Sequence, residues 1–224
     1  MASVGLFYVG AVLFVNGLML LGLIEPRAAA IMNLFVGSLQ VITPTYLIFT
    51  ANGDKNTILA ASGLYLFGFT YLYVGIGLLA GLDSTGIGYF SLFVAIAALG
   101  FSYLNFTQLG DAPFGVIWLY WAVLWSLFFV LLGLKREGLT RYTGWVAAIE
   151  GWVTCAIPGF LLLSGHWPSN GVTALVLAVV GVAMLLVLLP TLRAPRARHD
   201  AGDQGPTRPT AAPSDGRDRP LTTT

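Results

Sequence analysis

The chain has 224 residues, of which 57% are apolar and only 9% charged, and its mean hydropathy is +0.81. Soluble domains carry about 25% charged residues, so a water-soluble globular fold is excluded and the chain reads as an integral membrane protein. The net charge of +1 is uninformative by itself and no nucleic-acid partner is expected; the placement of the charges carries more.

Runs of roughly 20 apolar residues, each enough to cross about 30 Å of hydrocarbon as a helix, fall at 4–23, 29–49, 58–80, 87–107, 114–134, 142–164 and 171–191. This predicts an all-α integral membrane fold of seven transmembrane helices. No charged, apolar and small-residue cleavage pattern precedes the first run, which is read as a retained helix. Glycines within the runs, among them Gly5, Gly10, Gly63, Gly68, Gly75 and Gly77, allow helices to approach closely in lipid. Internal repetition is faint: Leu34-Phe35-Val36 opens the second run much as Leu92-Phe93-Val94 opens the fourth.

The fifth run holds Trp118, Trp121 and Trp125. At about 100° per residue these fall on one stripe within roughly 60°, and Phe114 extends it by a turn. The sixth holds Glu150, the one acid or base deep inside an apolar run, and the lone Cys155. After Leu192 the composition turns to Arg, Pro, Thr, Asp and Gly, which predicts a disordered tail over 193–224. The loops and tail on one side carry Arg27, Lys135, Arg136, Arg141, Arg193, Arg196 and Arg198, against Lys55 on the other. The positive-inside rule then puts the N-terminus outside and the C-terminus in the cytoplasm, with the tail arginines near lipid head groups.

A carboxyl in lipid faces the protein interior or a water-filled cavity. With a flat indole wall beside it, the pattern points to a narrow membrane pathway for something small, polar and uncharged. The stripe alone leaves two placements open, a pore wall or ordinary helix packing. The spans hold no histidine, no HExxH, no GxSxG and no paired carboxylates, so an enzyme is not expected and no cofactor is implied. No span interior holds a lysine for a retinal Schiff base. The remaining rival is a proton-coupled transporter in which Glu150 carries the proton. Asn16, Asn33 and Asn105 are expected to bond between helices, and Thr70 to its own helix backbone.

Several motifs occur in a fixed order: Leu6-Phe7-Tyr8-Val9-Gly10 with Asn16-Gly17; Met32-Asn33-Leu34-Phe35-Val36-Gly37; Phe67-Gly68-Phe69-Thr70-Tyr71-Leu72-Tyr73; Ser91-Leu92-Phe93-Val94-Ala95-Ile96; the tryptophan helix; and Ile149-Glu150-Gly151 before Ala156-Ile157-Pro158. Together they resemble the bacterial urea channel and amide transporter family over about residues 1–167. The resemblance implies a six-helix channel domain over 1–167, built as three two-helix hairpins around one pore, with an extra seventh helix over 168–192. It also implies a homohexamer in the inner membrane and passive permeation of urea or short-chain aliphatic amides. Carried onto matching motif positions, it implies that Leu6, Val9, Leu13, Phe67, Tyr71, Trp118, Trp121, Leu124, Trp125 and Glu150 line the pore, with Phe114 where the family has a tryptophan. Ala2 stands where the acid-gated member has a larger aliphatic residue.

That member also has longer, histidine-bearing outer loops. Here 50–57 and 108–113 contain no histidine, which predicts no strong acid gating. The lone outer histidine, His166 beside Trp167, reads as an interfacial residue. In a dry slot the solute's N–H groups need acceptors, which Glu150, the Tyr71 hydroxyl and ring faces supply, while indole N–H groups are expected to donate to its carbonyl oxygen. Glu150 either contacts the solute or pins neighbouring helices.

Overall fold

Chain punctuation sets the helix ends before packing does. Pro26 opens the second helix, where a missing N–H costs nothing, and Asp54 caps the third by accepting from Thr57 N at 2.8 Å. Asp111 caps the fifth through Phe114 N at 3.2 Å, and Asn170 the seventh through Thr173 N at 3.0 Å. Gly81 and Gly110 close the third and fourth spans in the left-handed region, at φ of 66° and 69°, which only glycine adopts without strain.

The computed structural model describes residues 2–192, and within them the only regular structure is helical. Seven helices are long and apolar enough to cross a membrane: Ala2–Leu20, Pro26–Thr50, Lys55–Ala80, Thr85–Leu109, Ala112–Gly133, Glu137–Leu163 and Gly171–Leu192. They are referred to below as the first to seventh spans. Each overlaps its predicted run. The first ends three residues early because the chain turns at Gly22, at φ of 79°. The tail expected to be disordered lies outside the described residues.

Spans neighbouring in sequence are neighbours in space, and the first meets the sixth, so the six close into a ring. Second against third, fourth against fifth and first against sixth are the close seams. Two of these pairs are hairpins and the third joins the two ends of the six-span unit. The seventh span lies against the fifth.

Glycine explains the close seams. A Cβ placed on Gly10 would lie 2.5 Å from the Gly151 carbonyl, and one on Gly68 would lie 2.9 Å from that of Gln40. Backbone therefore touches backbone, which is how helices associate in lipid, where apolar burial gives no advantage. Gly77, by contrast, has nothing within 4 Å. Wide π-helical turns at 105–109 and 129–133 end the fourth and fifth spans, and one at 151–156 interrupts the sixth. The last precedes Pro158, whose ring cannot donate to the carbonyl four residues back and forces a local adjustment. The faint repeat has a structural counterpart: Phe35 and Phe93 both face outward while Val36 and Val94 are both buried.

A reciprocal amide pair ties the first span to the second. Asn16 Nδ2 donates to Asn33 Oδ1 at 2.9 Å, and Asn33 Nδ2 returns to Asn16 Oδ1 at 2.6 Å. Asn105 differs from expectation: its amide donates to Phe101 O of its own helix at 2.8 Å. It sits where the α-helical part of the fourth span passes into a π turn, and its side chain folds back on the carbonyl one turn earlier.

Gly10→Ala is expected to lower thermal stability in detergent by about 1–3 kcal/mol through overpacking of the first–sixth seam. Gly77→Ala, with open space around it, should be neutral or slightly stabilising; equal losses from both would remove the close-approach argument.

Candidate functional site

The tryptophan stripe of the fifth span faces the interior of the ring. Trp118, Trp121 and Trp125 are all buried, Trp125 completely. Phe67 of the third span meets all three, with ring centroids 5.6 Å from Trp118, 4.7 Å from Trp121 and 5.1 Å from Trp125. The last two contacts are edge-on, the geometry that ring quadrupoles favour. Phe101 stacks on Trp118 at 4.6 Å, and Trp118 meets Trp121 edge-on at 4.8 Å. One phenyl thus ties together the whole stripe.

Two cavities approach this cluster from opposite ends of the ring. The one at the N-terminal end, about 140 Å³, is lined by Leu6, Phe114, Trp118 and Trp121 among others. The one at the other end, about 130 Å³, is lined by Leu13, Thr70, Tyr71 and Trp125, with Asp83 and Ser84 at its rim. Trp121 belongs to the first and Trp125 to the second, one helical turn apart. Phe67 touches both indoles, so a single aromatic layer separates the cavities.

The remaining expected residues sort as follows. Val9, Leu124, Phe67 and Glu150 are buried at the same depth but line neither cavity. Phe114 is half-buried and packs on Trp167 with centroids 5.5 Å apart. Glu150 is fully buried, and neither carboxyl oxygen has a hydrogen-bond partner in the protein. The Tyr71 hydroxyl, on the wall of the second cavity, is likewise unpartnered. Helix pinning by Glu150 through hydrogen bonds is therefore not seen.

One expectation is corrected. The indole N–H groups of Trp121 and Trp125 are not free to meet a solute: Trp121 Nε1 donates to Thr154 Oγ1 at 3.0 Å and Trp125 Nε1 to Thr70 Oγ1 at 3.3 Å. Thr70 does bond its own backbone, at Leu66 O, but it also accepts the indole. Thr154 was missed in the sequence because a threonine four residues after Glu150 reads as an ordinary back-bonded helix residue.

At the rim of the second cavity, Lys135 Nζ donates to Asp83 Oδ2 at 2.8 Å and to Ser84 Oγ at 2.9 Å. Lys135 takes a left-handed φ of 55° there, unusual for a residue with a side chain. The Lys135 bond, followed by those from Thr85, holds the Asp83 carboxyl well below the usual carboxylate range.

Residues 1–166 match the family described as AmiS/UreI family transporter. The chain is 57% identical over 197 residues to a putative transporter protein, AmiS2, of Rhodococcus erythropolis, covering 88% of this chain and 95% of that one. It is 56% identical over 190 residues to a putative amidate substrates transporter protein of Mycolicibacterium smegmatis, covering 85% and 89%. Its fold superposes on the crystal structure of the urea channel from Helicobacter pylori with a TM-score of 0.68 and 34% identity, over 75% of this chain and all of that one. An aromatic layer between two cavities inside a six-span ring, the motif order of the chain and these likenesses converge: the protein belongs to the AmiS/UreI family of membrane transporters.

Proposed function

We propose that this protein is a passive channel for small neutral amides, urea or short-chain aliphatic amides, which it selects at the aromatic layer between its two cavities. The observation that carries this reading is Phe67 packed against Trp118, Trp121 and Trp125 where the cavities meet. Flat rings that part slightly admit a thin planar solute before a bulky one. Moving an unpaired polar group into such a place costs about 1–3 kcal/mol, whereas an ion faces a penalty of tens of kcal/mol. Neutral amides pass and ions do not. The names of the amidate-transporter relative and the urea channel support the solute class.

To the pore and its selectivity layer this reading assigns Leu6, Val9, Leu13, Phe67, Tyr71, Phe114, Trp118, Trp121, Leu124, Trp125 and Glu150, of which Val9, Phe67, Leu124 and Glu150 are buried and line neither cavity. Residues 1–167 form the channel domain, and 168–192 add a span that brings the C-terminus to the cytoplasmic side of the inner membrane. Six copies form the assembly. A proton-coupled transporter is the second reading, favoured by one observation: the Glu150 carboxyl is buried with both oxygens unpartnered.

Proteoliposomes should show fast, non-saturating flux of urea, formamide, acetamide or propionamide by light scattering, with no ionic current and no dependence on a proton gradient. Saturation, together with loss of flux when the gradient is collapsed, would favour coupled transport instead. Trp121→Ala or Trp125→Ala should change the flux ratio between small and large amides by about tenfold, on the order of 1.4 kcal/mol at the barrier. Trp145→Ala, on an outward-facing position 37% exposed, should change it little. Glu150→Gln is expected to retain flux in the channel reading and to abolish it in the coupled one.

No strong acid gating is part of this proposal. The loop carboxyls Asp54, bonded first by the Thr57 hydroxyl, and Asp83, bonded first by Lys135, both titrate lower than usual. A depressed carboxylate contributes stability above its unfolded pKa of about 4 and loses it only as pH falls through the lower folded value. Neither changes charge between about pH 5 and 8, where an unperturbed side chain that titrates is histidine. Flux at the two ends of that window should agree within about twofold; a steep rise in acid would overturn the ungated reading.

A further inference from the structure

Two hydroxyls hold the selecting indoles, and each is itself tethered. Thr154 Oγ1 accepts from Trp121 Nε1 at 3.0 Å and donates to the Glu150 carbonyl at 2.7 Å. Thr70 Oγ1 accepts from Trp125 Nε1 at 3.3 Å and donates to the Leu66 carbonyl at 2.7 Å. Each threonine spends its one proton on the carbonyl four residues back, so its oxygen faces the indole as an acceptor. A β-branched side chain has few rotamers in a helix, and this second bond removes the remaining choice.

The two bonds come from opposite sides of the ring. Thr154 lies in the π-helical turn 151–156 of the sixth span, and Thr70 lies one residue before Tyr71 on the third. Trp121 and Trp125 stand one turn apart on the fifth, facing different cavities. Each indole plane is thus fixed from outside the helix that carries it. The pairing also consumes the N–H groups. With these donors occupied, the two rings offer a passing solute faces and edges instead of a strong hydrogen-bonding site, which would slow its exit.

We infer that Thr154 and Thr70 are positioning residues for selectivity: their hydroxyls set the tilt of Trp121 and Trp125 and keep the two indole N–H groups away from the solute. Thr154, fully buried and making the shorter bond, carries the larger share. Removing its hydroxyl leaves the buried indole donor with only the weak acceptor Cys155 Sγ in reach, and the ring turns or binds the solute to satisfy it. Either response blunts discrimination. The selectivity part of this inference rests on the channel reading above; the hydrogen-bond part does not.

The test pairs flux with a signal that is independent of transport. Wild type, Thr154→Val and Thr154→Ser are reconstituted in vesicles, and urea, acetamide and propionamide fluxes are compared by light scattering. Thr154→Val should compress the acetamide-to-propionamide flux ratio by about fivefold, the factor carried by one net hydrogen bond of about 1 kcal/mol. Thr154→Ser, which keeps the acceptor, should restore most of the ratio. In protein labelled with ¹⁵N at tryptophan, the Trp121 indole proton, assigned with Trp121→Phe, should move upfield in Thr154→Val and return in Thr154→Ser.

An unchanged flux ratio in Thr154→Val overturns the inference. So does a ratio that falls equally in the valine and serine variants, because the hydroxyl would then not be the cause. If wild type moves no amide while the indole proton still shifts, the channel reading fails and the selectivity claim falls with it. Should Thr154→Val not assemble, Thr70→Val reads the same ratio at the other indole, with a smaller drop expected from its longer bond.

Discussion

The contact on which the architecture turns is Phe67 set among three tryptophans of the fifth span, 4.7–5.6 Å from their ring centres. Four large rings at the centre of a six-helix ring demand space, and that space exists because other seams take almost none. Gly10 against the Gly151 carbonyl and Gly68 against the Gln40 carbonyl bring neighbouring backbones into contact. Fourth and fifth spans meet in the same way, at Gly88 and Gly133. Tight seams elsewhere leave room for the aromatic layer and for the cavities on either side of it. Aromatic pairs in such geometry each add about 0.5–1.5 kcal/mol beyond burial, so the layer also stabilises the closed ring.

Hydrogen-bond accounting separates polar groups that satisfy one another from those left without a partner. The two asparagine amides of the first and second spans satisfy each other. The Trp121 and Trp125 indoles satisfy themselves through threonines tied to their own helices. What stays buried and unpartnered among the described residues is the Tyr71 hydroxyl, the Glu150 carboxyl, Gln40 Oε1, Thr143 Oγ1 and Trp167 Nε1. Of these, Tyr71 lines a cavity and Glu150 and Gln40 do not. A buried polar atom without a partner costs more than a bond returns. Tyr71 keeps such an atom on a residue of a cavity wall.

Much of this was legible in the sequence, for reasons of period and scale. A helix crossing a bilayer must be about 20 apolar residues long, so the spans announce themselves by length alone. The tryptophan stripe is visible because its spacing repeats along one helix. What lies between helices is not visible in that way. Thr154 reaches Trp121 across 33 positions in sequence, and no local pattern marks the pair. Asn105 looked like Asn16 and Asn33, yet it bonds at home, to the carbonyl one turn back in its own helix. The shared family motifs supplied Leu6, Val9, Leu13 and Phe67, which composition alone does not distinguish from any buried apolar residue.

The seventh span shows how few groups suffice to dock a helix in lipid. Its outer face is apolar, with Val172, Leu175, Val179 and Val187 exposed, and it lies beyond the residues matched by the family. Apolar surface gives it no reason to leave the acyl chains for a protein neighbour. Two phenols do. Tyr120 of the fifth span donates to Leu177 O at 2.6 Å and Tyr142 of the sixth to Leu185 O at 3.1 Å. Gly181 clears the place for the Tyr120 ring, since a Cβ there would lie 2.5 Å from Tyr120 Cζ. Tyr120 is the immediate neighbour of Trp121 and points to the opposite side of the same helix, away from the ring interior. The bond that anchors the extra span therefore also braces, from behind, the helix whose front presents the indoles.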